Sequence, residues 1–323
     1  GRPAVMMSFV PASFEIIGYL IFAPLLLHVT RIEAAVMGAV LSAVSPAVVV
    51  PRMVKLIEEK YGTAQSIPQM ILAGASCDDI FVIVLFSTFV TMAQGESAKI
   101  TDFLNIPISI VLGILAGILA GFILFFLFET AYQKNHAIRS TTKTVLILGT
   151  AFLLMALETI IKPYVALSGL LAVVAMACVL KIKSTSDVSA RLSEKFGKLW
   201  IPAEVLLFVL VGAAVDIRYT LTAGVSALFM IGIALLFRAI GVFFCLLGTK
   251  LSGKEKCFCI IAYLPKATVQ AAIGSVPLSL GLPCGKIVLS VAVLAVLLTA
   301  PLGAIGIDKS YRKLLQPEQT DSI

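Results

Sequence analysis

Ten stretches of this chain are apolar for long enough to cross a hydrocarbon core, at roughly 4–27, 33–57, 66–94, 105–131, 143–160, 164–181, 199–215, 221–248, 255–280 and 285–307. A crossing helix needs ~20 such residues, and an unsatisfied backbone polar group is not tolerated in lipid. Numbered as spans one to ten, they leave a chain with 13% charged residues, where soluble domains carry roughly 25%. An all-α membrane protein of about ten transmembrane helices follows, with the lipid bilayer as its first partner.

The basic residues test that count. Alternating the loops between two sides puts 18 Lys and Arg on one side and 5 on the other, with Arg238 and Lys266 inside spans. Cytoplasmic loops carry the excess of positive charge, so both ends of this chain face the cytoplasm, in a plasma (inner) membrane. The longest polar connection, 181–198, separates spans one to six from seven to ten and reads as a short amphipathic helix. Gly113, Gly117 and Gly121 recur every fourth residue in span four, a spacing that lets helices approach closely. It reads as packing within the subunit rather than as a dimer seam.

Span three, IPQMILAGASCDDIFVIVLFSTFVTM (67–92), carries Asp78 and Asp79 near its middle. An ionised carboxylate at that depth costs several kcal/mol, and two neighbours repel one another. Packing does not account for such a pair; an ion or proton site does.

Two spans should be broken. Span two contains AVSPAVVVP, where Pro46 and Pro51 each remove a backbone donor; span nine contains YLPKATVQAAIGSVP, with Pro265, Gly274 and Pro277. Unwound backbone at membrane depth belongs in a protein-buried or water-lined place, and paired breaks in two halves point to an inverted-repeat transporter. Spans one to three and eight to ten both run helix, broken helix, helix, and they enter the membrane from opposite sides.

Five ionisable residues lie deep in these six spans: Glu15, Asp78, Asp79, Arg238 and Lys266. Fully ionised they sum to −1, room for one monovalent cation or for protons. Neighbouring residues on a helix project ~100° apart, so one aspartate should face the ion path while a basic partner holds the other. Ser45 supplies a hydroxyl beside the first break. Protons and a small hard cation then compete for the same oxygens, which suffices for antiport.

Other features read blandly. The six cysteines lie mostly in apolar segments, and Cys257-x-Cys259 lacks metal-ligand spacing. His28 and His136 belong to no metal pattern, the +7 net charge is spread over loops and does not point to nucleic acid, and no resident cofactor is called for. An intramembrane aspartyl protease would need its two acids on separate helices, so the chain does not read as an enzyme.

Through AVSPAVVVP (43–51), GASCDDI (74–80), LLFRAIG around Arg238 and YLPKATVQAAIGSV (263–276), nearly the whole chain resembles the monovalent cation:proton antiporter superfamily. Its two-aspartate branch, and within it the NHA-type sodium/proton antiporters, is the nearest likeness. The resemblance implies an inverted-repeat fold with two broken crossing helices and a homodimer. It implies Asp79 as principal ligand, Asp78 as auxiliary ligand or salt-bridge partner, and Arg238, Lys266 and Glu15 as charge partners. It further implies an elevator motion of a core (1–94 and 221–308) against scaffold helices (136–220), with 95–135 as linker and 309–323 as cytoplasmic tail. Sodium or lithium is then exchanged for protons; a potassium/proton exchanger, a cation-coupled symporter, or a truncated non-transporting paralogue are the alternatives. Members of the family carry further scaffold helices ahead of span one. A chain opening on Gly1 is therefore either a fragment or a reduced form.

Overall fold

The computed structural model describes residues 1–95, 100–135, 139–161, 165, 167, 169–213 and 217–318. His136, with the tip of its loop, lies outside them. The described residues are helical apart from turns and one isolated antiparallel bridge, Tyr61 to Pro317. They form two compact units, one of residues 1–96 and 207–323, the other of 97–206.

In the first unit, α1 (Arg2–Met7) and α2 (Val10–Leu27) make span one. Span two is α3 (Arg31–Leu41) and α4 (Pro46–Glu58), separated by residues 42–45. Span three is α5 (Ile67–Ala93). The second unit holds α6 (Ile100–Asn135), α7 (Ser140–Ile161), α8 (Gly169–Lys183) and the larger part of α9 (Ser186–Ala213). The first unit resumes with α10 (Ile217–Cys245), then α11 (Gly253–Ala262), α12 (Thr268–Ile273), α13 (Val276–Ser279) and α14 (Gly285–Leu314).

Among the described residues, seven segments are long and apolar enough to cross a membrane: 2–27, 31–58, 67–93, 111–130, 140–161, 224–245 and 285–314. The other three of the expected ten differ for local reasons. Span nine is divided among α11, α12 and α13. The helix of span six, α8, has 15 residues. Span seven is continuous with the connection before it, so the expected separate amphipathic helix is the first half of α9. Neither Gly197, which costs about 1 kcal/mol, nor Pro202 inside α9 ends the helix there.

Pro46 and Pro265 stand at the breaks, but Pro51 does not break its helix. Pro46 occupies the first position of α4, where no donor is needed, so the helix restarts there. Pro51 then sits inside α4, and the Arg52 guanidinium donates to the Val48 carbonyl at 2.9 Å beside the lost bond. Both first halves of the broken spans begin with reciprocal capping boxes, Thr30 with Glu33 on α3 and Ser252 with Glu255 on α11.

α2 buries a stripe at Ala12, Glu15, Ile16, Tyr19, Ala23 and Leu27, the i, i+4 spacing of one helix face. Glycines bring its neighbours close. A Cβ at Gly38 of α3 would stand 3.2 Å from the Ile16 Cα, and one at Gly241 of α10 would stand 2.8 Å from the Pro11 Cα. Two large apolar clusters result. One takes Ile67, Ile71 and Ala75 of α5 with Val242, Cys245 and Leu246 of α10; the other takes Phe86 and Val90 of α5 with Ala227, Met230, Ile231 and Ala234 of α10. Between them, at Asp78 and Arg238, lies a polar layer.

In the second unit, α6 packs along α8, and α7 against both. A side chain at Gly117 would meet the Ala172 main chain, and one at Gly121 would meet Val179. The four-residue glycine repeat is therefore a seam within the subunit. Leu115, Leu119, Ile123 and Phe126 on α6, with Phe152 and Leu153 on α7, are exposed apolar surface of the kind lipid covers.

Candidate functional site

The two breaks meet. The Ser45 N–H donates to the Pro265 carbonyl at 2.8 Å. Unwinding frees carbonyls at the ends of α3 and α11, where helix dipoles gather negative charge. Arg238, from α10, answers both: its Nη1 donates to the Ser42 carbonyl and its Nε to the Tyr263 carbonyl. The same guanidinium stacks over the Tyr263 ring, with Cζ 5.3 Å from the centroid.

Arg238 also ties two acids together. Nη1 lies 2.9 Å from Glu15 Oε2, and Nη2 lies 2.9 Å from Asp78 Oδ2. Lys266 Nζ reaches Glu15 as well, 2.7 Å from Oε1 and 2.9 Å from Oε2. The Lys266 N–H donates to Thr299 Oγ1 at 2.9 Å, which anchors the second break on α14. Glu15, Asp78 and Arg238 are 0% exposed and Lys266 1%. These four charges cancel, and each is hydrogen-bonded, the condition under which buried charge is tolerated.

Asp78 has one more donor, the Val44 N–H at 2.8 Å, so it caps the unwound stretch that precedes α4. Asp79 differs. It is half-buried, its Oδ1 is buried with no hydrogen-bond partner, and no ion pair among the described residues involves it. Asp78 Oδ1 and Ser45 Oγ are likewise buried without a partner. The arrangement is thus a balanced ionic quartet with one additional carboxylate beside it, next to unwound backbone. Such a place can take up one cation or one proton without leaving net charge in the membrane.

All six charged or hydroxyl candidates from the sequence fall in this layer, as do Pro46 and Pro265. Pro51 lies one turn or more into α4, away from the break. Sequence reasoning missed Gln270, which is fully buried in α12 and donates from Nε2 to the Ala43 carbonyl at 2.9 Å. It also missed Tyr263, whose hydroxyl donates to the Met7 carbonyl at 3.2 Å. The available signal for Gln270 was an uncharged polar residue inside an apolar half-helix just after a break.

Residues 1–308 match the family described as "Sodium/hydrogen exchanger, transmembrane". The chain is 33% identical over 290 residues to human "Sodium/hydrogen exchanger 9B2", covering 87% of this chain and 53% of that protein. It is 30% identical over 323 residues to mouse "Sodium/hydrogen exchanger 9B1", covering 97% of this chain and 56% of that one. The chain spans about half the length of the curated relatives it matches. Its fold is similar to that of the sodium proton antiporter MjNhaP1 from Methanocaldococcus jannaschii, with a TM-score of 0.80 at 19% identity over 97% of this chain and 79% of that one.

Proposed function

The chain belongs to the transmembrane sodium/hydrogen exchanger family, and from that premise we propose that it is the ion-translocating part of a sodium (or lithium)/proton antiporter. It is a multi-pass membrane protein with an antiporter fold. Asp79 is the exchanging group, Asp78 an auxiliary ligand held by Arg238, and Ser45 a neutral ligand. One observation carries this reading: the four buried partners of the layer cancel, and among the described residues Asp79, next in the chain to the Asp78 that caps the unwound stretch, has no ion-pair partner. With sodium or a proton on Asp79 the layer carries no net charge and can change its access; with neither, it is held by the cost of moving a bare carboxylate through lipid.

Alternating access proceeds by an elevator motion of the core helices (1–94 and 221–308), in a homodimer of the plasma (inner) membrane with both ends of this chain cytoplasmic. The split of basic residues, 18 against 5, supports that orientation. The test is transport in proteoliposomes holding an acid-inside gradient. Adding sodium or lithium dissipates the gradient, Asp79→Asn abolishes the response, and Asp78→Asn weakens it. An Asp79→Asn protein that exchanges like the parent overturns the assignment, and a response to potassium alone replaces sodium with potassium.

A further inference from the structure

Gln270 contributes more than packing. Its Nε2 faces the Ala43 carbonyl, which can only accept, so the amide orientation is settled and Oε1 points away from that contact. Oε1 is buried and has no partner among the described residues. A buried amide oxygen without a donor is costly to keep, so its persistence asks for a ligand.

The peptide that Gln270 holds is the one that Asp78 holds. The Ala43 carbonyl and the Val44 N–H belong to one planar unit; Gln270 takes its oxygen and Asp78 Oδ2 its hydrogen, at 2.9 and 2.8 Å. Ser45 follows in the chain. Four buried oxygens without a hydrogen-bond partner among the described residues belong to Ser45, to the two residues that hold this peptide, Gln270 (Oε1) and Asp78 (Oδ1), and to Asp79 (Oδ1) beside Asp78 in the chain. Two carboxylate oxygens, one hydroxyl and one amide carbonyl are the donor types a hard cation takes, and neutral donors are what discriminate among ions in such sites.

We infer that Gln270 is a specificity-determining residue of the cation path, with Oε1 as a neutral ligand and Nε2 orienting the Ala43–Val44 peptide toward Asp78. The inference rests on Asp79 being the exchanging acid. It deepens that reading by naming a ligand from the second broken span, so that a bound cation bridges both breaks.

Cation-dependent thermal stabilisation of the purified chain tests it, at constant ionic strength with choline replaced by sodium, lithium or potassium. Binding to the folded state alone raises the unfolding temperature with cation concentration. The parent is expected to respond and Asp79→Asn not to. Gln270→Met, which keeps the volume and loses both amide groups, should need a roughly tenfold higher half-saturating concentration and reorder the three ions. Gln270→Glu, which keeps an oxygen and adds charge, should need several-fold less cation. If parent and Asp79→Asn respond alike, the antiport site is wrong and this inference falls with it. If they differ while both Gln270 variants keep the parental midpoint and ion order, only the role of Gln270 is overturned. Should Gln270→Met fail to fold, Gln270→Glu decides by the same criterion.

Discussion

In the first unit, α2, α5 and α10 are tied through four buried charges, while in the second α6 and α8 meet over Gly117 and Gly121 with no charge between them among the described residues. Both arrangements answer one difficulty. Lipid tails are as apolar as leucine, so helices in a membrane gain little from hiding apolar side chains and associate through close contact or polar bonds. The glycine seam supplies contact area, which tolerates small shifts. The charged layer supplies fixed directions, because each guanidinium and carboxylate must keep its partners. A polar layer of that kind suits a place where one ion must be seated; a glycine seam suits helices that only need to stay together.

The largest effect expected from that contrast is at Arg238. Arg238→Met leaves Asp78 with the Val44 N–H alone and uncaps the Ser42 and Tyr263 carbonyls, and it should cost about 3–5 kcal/mol in unfolding free energy. Adding Asp78→Asn to that variant should recover part of the loss, as a double-mutant cycle read by denaturant unfolding; simple additivity would mean that the pair is not coupled.

Next comes the seam. Gly117→Leu forces a side chain into the Ala172 main chain and should cost about 1–3 kcal/mol, whereas Gly149→Ala, with open space around it, should be harmless. If Gly117→Leu unfolds at the parental temperature, the seam does not hold the second unit together.

Smaller still is the loss of a cap. Thr30→Ala removes one half of the box that starts α3 and should cost about 1 kcal/mol, with faster hydrogen exchange at the first amides of that helix.

The smallest effect is at the exposed pair Arg52–Asp308, 3.2 Å apart. Asp308→Asn, which removes the pair and leaves the Arg52–Val48 bond in place, should change stability by about 0–1 kcal/mol, and the difference should vanish in high salt.

Much of this architecture was legible in the residues because it follows from local chemistry. Apolar runs, the Asp78–Asp79 pair, Pro46 at a restart and Pro265 in a break act over a few residues. The Thr30-x-x-Glu33 and Ser252-x-x-Glu255 boxes are as local, but the structure and not the sequence reading brought them out. Pro51 shows the limit of local reasoning. A proline deletes one bond wherever it stands, but whether the helix ends depends on what replaces that bond, and here a neighbouring arginine supplies a donor to the next carbonyl. The Gly113–Gly121 repeat announced close packing without naming α8 as the partner.

The sequence by itself determined that this chain crosses a membrane many times, that two of its crossings are interrupted, and that five charges lie at depth, since hydropathy, proline geometry and the cost of buried charge are properties of short segments. Only the tertiary structure decided who pairs with whom. Arg238 lies 223 residues from Glu15 and 160 from Asp78, and nothing in the spacing says that it holds Asp78 rather than Asp79. That choice came from the ~100° between neighbouring side chains on α5 and from where the packed helices put the guanidinium, which leaves Asp79 without an ion-pair partner among the described residues.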